Sequence, residues 1–235
     1  LLIRPSDIDR AVRILEQRAA TRPWSQRRPG WDRRFAKTVT MTFGDGIEFD
    51  LHRMLADGVF GYRIPLERLF DSADAFDIGG VTFQALSPVH RLLHSAYHLL
   101  LGSSEPPLMN VRDLGVYLSD ERVTLDLVVF EAQRWGGEVV LAMAIDQVTE
   151  RVADVPPKWA EWRSNFEPDQ HDLDLIRRHR SEGSSFGRAK LDVLRELPAL
   201  RDRAAYAAAL VWPSREHLES RGLRRRDSLG PFVAN

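Results

Sequence analysis

Apolar and polar residues alternate over residues 47–52, which sets Ile47, Phe49 and Leu51 on one face of an extended strand and Glu48, Asp50 and His52 on the other. Residues 37–43 keep the same period through Val39, Met41 and Phe43, and Gly44-Asp45-Gly46 between the two runs predicts a hairpin. Ahead of them, residues 1–3 read as the end of a buried strand stopped at Arg4-Pro5. Ser6 is placed to cap a helix whose apolar stripe is Ile8, Ala11, Val12, Ile14 and Leu15. That helix fades over 18–21 into a basic loop, 22–34, punctuated by Pro23, Pro29 and Gly30. Beyond Met54, Gly58, Gly61 and Pro65 predict an irregular passage and then a short apolar segment around Leu66, Leu69 and Phe70. Gly79-Gly80 opens a strand over 81–86.

From Ser87 the period becomes helical. Ser87-Pro88 supplies a cap and a proline at the first helical position, and apolar recurrence predicts helices over 87–102, 111–118, 125–135 and 138–151. Pro156-Pro157 and the stretch 159–168 interrupt the series, which resumes over 173–179, 188–197 and 199–210. A basic run over 221–226 and an irregular end over 228–235 follow. The expected fold class is α+β. Residues 1–86 make a small mixed sheet with flanking helices, incomplete at its N-terminal side, and residues 87–235 make an α-helical bundle. A chain that starts inside a strand is expected to have had residues before it.

Composition narrows the function. With 33 basic and 34 acidic residues the net charge is −1, so no overall field draws nucleic acid or an anionic membrane, and any polyanion must be met locally. Residues 177–180 and 224–226 are the basic runs available for that. The absence of cysteine excludes disulfides, thiolate nucleophiles and cysteine-held zinc. No apolar run is long enough to span a bilayer, and the start has no signal-peptide core, so a soluble, cytoplasmic protein is expected. Neither a P-loop nor a Gly-x-Gly-x-x-Gly turn occurs.

A carboxylate on the polar face of a strand whose other face is packed is held rigidly, as a divalent metal ligand must be. Asp50 is that residue, with Glu48 two positions earlier and His52 two positions later on the same face. Arg27, Arg28, Arg33 or Arg34 of the basic loop are placed to lend a guanidinium to a phosphate. His90, His94 and His98 recur every four residues, but ligands at three successive turns of one helix seldom converge on one ion. The ordinary arrangement exposes His90 and satisfies His94 and His98 at an interface. Arg112 and Asp113 stand at the edge of an apolar stripe, and as helix neighbours they are expected to have different partners. Trp159 and Trp162 read as core or loop anchors.

The order of these motifs resembles a known family. The opening Leu-Leu-Ile-Arg-Pro-Ser-Asp-Ile-Asp-Arg-Ala, the strand ending Glu-Phe-Asp-Leu-His, Leu86-Ser87-Pro88 followed by Leu93 and His98, and Val-Arg-Asp-Leu over 111–114 together look like the bacterial nucleotidyltransferase-like family of the polymerase-beta-type superfamily. The resemblance runs from Leu1 to about Ala144 and continues faintly through Trp212-Pro213-Ser214. It implies a Gly-Gly or Gly-Ser turn, an Asp-x-Asp strand ending immediately before Leu1, and a third carboxylate, which falls on Asp50 with Glu48 as second choice. It further implies Mg²⁺, an NTP such as ATP as substrate, and transfer of a nucleoside monophosphate to a hydroxyl of a small-molecule or macromolecular acceptor. His52, Arg53, His98 and Arg112 are the positions it offers for binding nucleotide and acceptor. Catalysis is expected if the Asp-x-Asp strand lies upstream. Without it, the expectation is a domain of the same shape that binds a ligand or protein, and a transferase acting on tRNA is the third alternative.

Overall fold

A computed structural model describes residues 1–103, 105–152, 154–180 and 186–223. Two compact units emerge, one formed by Leu1–Tyr62 with Gly183–Asn235 and the other by Arg63–Glu182. The first is built on a hairpin of β1 (Thr38–Thr42) and β2 (Glu48–His52), antiparallel, with Thr40 opposite Asp50 and Thr42 opposite Glu48. On the outer edge of β2, Leu2 pairs with His52 in parallel sense. The His52 N–H donates to Leu1 O at 2.7 Å, and the Ile3 N–H donates to His52 O at 2.8 Å. On the outer edge of β1, Thr21 and Thr42 exchange backbone bonds of 2.8 and 2.7 Å. The sheet is a small antiparallel pair with one isolated parallel bridge at its edge, rather than the mixed sheet expected, while the α+β class is as expected.

Helix α1 (Ile8–Glu16) covers its apolar face. Ile8, Val39, Met41 and Leu51 are buried there together, with Ile3, Val12 and Leu15 packed around them. Ser6 does not cap this helix: Pro5 starts a 3-10 turn, Pro5–Asp7, that leads straight into it, and no side chain caps its end. The packed face stops at Leu51, and Ile47 and Phe49 toward the turn remain exposed. A four-residue helix, α2 (Trp31–Arg34), closes the basic loop. The passage expected to be irregular is helix α3 (Gly58–Arg63), because burying Val59 and Phe60 outweighs the roughly 1 kcal/mol that a glycine costs in a helix.

The second unit opens with α4 (Leu66–Asp71) and a hairpin of β3 (Asp74–Ile78) and β4 (Val81–Ala85), in which Phe76 faces Phe83. Strand β4 is where the sequence places it, but its partner β3 was not foreseen, because Phe76 and Ile78 are too few apolar positions to mark a strand beside Asp74 and Asp77. The helices are α5 (Pro88–Leu101), α6 (Leu108–Leu118), α7 (Leu125–Arg134), α8 (Glu138–Arg151), α9 (Pro157–Asn165) and α10 (Gln170–Arg180). Leu92, Leu93, Ala96, Leu99 and Leu100 of α5 are buried among Val111, Leu114 and Leu118 of α6 and Val140, Leu141, Ala144 and Ile145 of α8. Pro156-Pro157 does not interrupt the bundle. Pro157 sits at the first position of α9, and Trp159 enters the core with its indole N–H donating to Leu118 O at 2.8 Å. Between α7 and α8 the break at Gly136-Gly137 is obligatory, since a Cβ on Gly137 would lie 1.9 Å from the Tyr97 hydroxyl. Ser87 caps α5, accepting the His90 N–H at 3.4 Å. Ser87→Ala is expected to destabilise the protein by about 1 kcal/mol, read as a lower urea midpoint.

The chain then returns to the first unit through α11 (Phe186–Glu196), α12 (Leu200–Val211) and α13 (Arg215–Ser220). Tyr206 stacks on Trp31 with ring centroids 5.3 Å apart and meets Phe35 edge-on at 5.2 Å, and Arg34 pairs with Asp202 at 2.5 Å. These contacts explain why the units divide differently from the expected 1–86 and 87–235. The C-terminal helices are tied to the basic loop, whereas the second hairpin is tied to α5 by Arg91, which reaches Asp74 at 3.2 Å. Residues 224–226 of the basic run, and 228–235, lie outside the described residues.

Candidate functional site

Asp50 projects from the middle of β2, on the face opposite the Leu51 core. Its Oδ1 accepts the Thr40 hydroxyl at 2.6 Å from the partner strand, and its Oδ2 stands 3.9 Å from His52 Nε2. The carboxylate is half exposed, at 49%. It is oriented by one neighbour and keeps an oxygen open to solvent, a suitable arrangement for a hard cation that retains several waters. Glu48 is exposed on the same face, two residues back, with no partner among the described residues. No group of three His, Cys, Asp or Glu able to hold a metal occurs among the described residues, so this face offers at most a pair of carboxylates. The role of Thr40 went unread in the sequence, although the hairpin register that places it opposite Asp50 was readable there.

His52 is partly buried, and burial pushes its pKa down from the ordinary 6.5, with the N-terminal amine adding to the effect and Asp50 opposing it. His90 and His217 are likewise lowered by burial. Just below pH 6.5 the unfolded chain binds protons at these imidazoles that the folded chain refuses, so stability is full above that pH and falls as the solution is acidified through it. A melting temperature lower at pH 5.5 than at pH 7.5 is expected, with a weaker dependence in His90→Asn; a melting temperature that rises on acidification would overturn this.

Arg53 is not available to a phosphate. Its guanidinium is buried, donates to Ala36 O at 2.9 Å and lies 5.2 Å from the Tyr62 ring centroid, so it ties the end of β2 to α3. Of the loop arginines, Arg33 lies 3.8 Å from Asp9 and Arg34 is held by Asp202. Arg28 is exposed and lines a cavity of about 320 Å³ with Trp31, Phe35 and Ala209.

His98 and Arg112 belong to the second unit. His98 is exposed and stacks on His94 with ring centroids 6.2 Å apart, whereas His90 is 3% exposed, the reverse of the expected order. The reason is position on the helix: His90 falls on the inward stripe of α5, where its ring stacks on Trp135 at 5.8 Å. Its Nδ1 is 2.9 Å from Ser72 Oγ, whose own proton goes to Arg68 O, so the imidazole donates there. Its Nε2 faces Glu131 at 3.6 Å. Burial pushes the Glu131 carboxyl up, but its bond and charge pairing with Arg68 and His90 outweigh this and leave it below its usual value. Arg112 and Asp113 pair with each other at 2.6 Å despite being adjacent, because the long guanidinium folds back along the surface. Arg112 also lines a cavity of about 660 Å³ with Tyr117, Asp120, Arg122, Val148 and Pro156. Asp50 lines neither cavity.

Over residues 1–152 the chain matches the family described as uncharacterised nucleotidyltransferase. The chain belongs to that family. No curated protein and no solved structure matches it. Among the described residues no helix is long and apolar enough to cross a membrane.

Proposed function

We propose that this chain carries out metal-dependent nucleotidyl transfer, moving a nucleoside monophosphate from an NTP such as ATP to a hydroxyl of an acceptor in the cytoplasm. The observation that carries the reading is the Asp50 carboxylate, fixed by Thr40 on the polar face of β2 beside the parallel segment 1–3. Asp50 would hold Mg²⁺ through its open oxygen, with Glu48 as an auxiliary ligand. When bound, the ion supplies positive charge at the phosphates and at the reacting oxygens.

The chain's own residues do the rest. Thr40 fixes the rotamer of Asp50. His52, kept largely neutral by its burial, presents an imidazole on the same face to orient the acceptor or touch a phosphate. Leu2 is in register with His52, so the segment 1–3 borders the strand that carries Asp50.

A binding domain without transfer is the second reading, favoured by the lack of a three-ligand metal group among the described residues. Incubating the full-length protein with α-labelled ATP separates the two. Label transferred to an acceptor pool with Mg²⁺ and abolished by EDTA is the expected result, whereas nucleotide binding with no transfer supports the binder.

A further inference from the structure

His90 has a different neighbour on each ring nitrogen. Ser72 Oγ stands 2.9 Å from Nδ1, and the Glu131 carboxylate stands 3.6 Å from Nε2. Nε2 is buried with no hydrogen bond among the described residues, so the carboxylate is the group it faces. Arg68 holds Glu131 in place, donating from Nε to Oε2 at 3.4 Å and from a terminal nitrogen to Oε1. Trp135 holds the imidazole plane by stacking on it. Helices α4, α5 and α7 therefore line up Glu131, His90 and Ser72 from the core outward. Glu131 and His90 are 6% and 3% exposed, whereas Ser72, at the C-terminal end of α4, is exposed. Two other histidines meet backbone carbonyls instead: His217 Nδ1, where α13 clamps the basic loop, lies 2.8 Å from Ser25 O, and His179 Nε2 lies 3.2 Å from Leu101 O.

Helix ending does not require this arrangement. The Ser72 hydroxyl already donates to Arg68 O at 2.8 Å, and a carboxylate and an imidazole taken out of water behind it are costly to bury. A carboxylate facing Nε2 favours a proton there and stabilises the imidazolium, which leaves the Nδ1 lone pair directed at Oγ. Turning the serine proton from Arg68 O onto Nδ1 needs only a rotation about the Cβ–Oγ bond. A serine hydroxyl is a weak nucleophile until a base, itself oriented by a third group, stands within hydrogen-bond reach.

We propose that Ser72 is an activated nucleophile that accepts the nucleotidyl group, with His90 as its base and Glu131 as a positioning residue. Oγ forms a bond to the α-phosphorus of the NTP as its proton passes to His90 Nδ1, and the bond to the β-phosphate oxygen breaks, so that pyrophosphate leaves with the electron pair. The choice of a nucleotidyl group over another phosphorus electrophile rests on the nucleotidyltransferase reading.

The test has two arms on the full-length protein, both read by peptide mass spectrometry. A fluorophosphonate, in EDTA, is expected to label Ser72, to leave unlabelled Ser119, whose hydroxyl donates to Gly115 O, and to react at least about a hundredfold more slowly with Ser72 in His90→Gln. Arg68 and Glu131 are the charged groups facing the imidazole, and Glu131→Gln is expected to shift the pH midpoint of labelling downward, which a merely structural role would not do. Should His90→Gln fail to fold, the wild-type profile decides: labelling that rises as the imidazole loses its proton is expected, and a rate flat from about pH 5 to 8 overturns the base. With ATP and Mg²⁺ the nucleotidyl group is expected on Ser72 and absent in Ser72→Ala. Absence of fluorophosphonate labelling at Ser72 overturns the nucleophile, and transfer to other acceptors with Ser72 unmodified overturns its role as acceptor. Asp50→Asn should abolish the second arm and spare the first, so failure of the transfer chemistry and failure of this site are read separately.

Discussion

Asp50→Asn is expected to reduce nucleotidyl transfer by the full-length protein at least about a hundredfold while leaving the folded state in place. The substitution is nearly isosteric, and its amide oxygen can still accept the Thr40 hydroxyl, so the strand register and the Leu51 core have no reason to change. The negative charge that a hard cation needs is lost. Thr40→Val leaves the carboxylate charged but unheld and should cost less, on the order of tenfold. Glu48→Gln, on an exposed carboxylate with no supporting neighbour, should cost least. The ordering matters more than any single value, and kcat/KM across a Mg²⁺ titration reads it. Turnover by Asp50→Asn at the wild-type rate would remove Asp50 from the chemistry.

Trp159→Ala should be among the most damaging single changes to stability, with a loss of about 3–5 kcal/mol. Its side chain is fully buried, so the truncation leaves a large void, and Leu118 O at the end of α6 loses its indole donor. Trp159→Phe separates the two effects, since it keeps most of the apolar volume and gives up the hydrogen bond, worth about 1 kcal/mol. Thermal melting and urea midpoints of both variants check this, and similar losses in the two would mean that the hydrogen bond, not the volume, dominates.

Periodicity carried the reading of this chain where one face of an element is packed and the other wet. The β1–β2 hairpin, the Ser87 cap and the run of helices from α5 to α8 all have that pattern, and all lie close to where the sequence places them. Reading failed where tertiary burial overrode local signals. Gly58 and Gly61 resemble loop punctuation until Val59 and Phe60 find a core, and Pro157 resembles a breaker until Trp159 is buried behind it. At the candidate site, the face carrying Glu48, Asp50 and His52 was legible because a strand has a period of two. The fate of Arg53 was not. At the end of the strand its direction depends on where Ala36 and Tyr62 lie, and no local pattern encodes that. The clamp of α13 on the basic loop joins segments some 190 residues apart, with His217 and Ser25 separated by 192 positions, beyond the reach of any periodic reading.

The second hairpin has a practical consequence. Phe76, Ile78, Val81 and Phe83 turn outward from two strands that pair only with each other among the described residues, at 41%, 62%, 55% and 44% exposure. Neither outer edge pairs with another strand among the described residues, and a ribbon of this kind is a ready template for strand-to-strand adhesion. In concentrated solutions, or during refolding, self-association would begin there. A lysine in place of Ile78 or Val81, well away from the Asp50 strand in sequence, is the change most suited to keeping the protein dispersed.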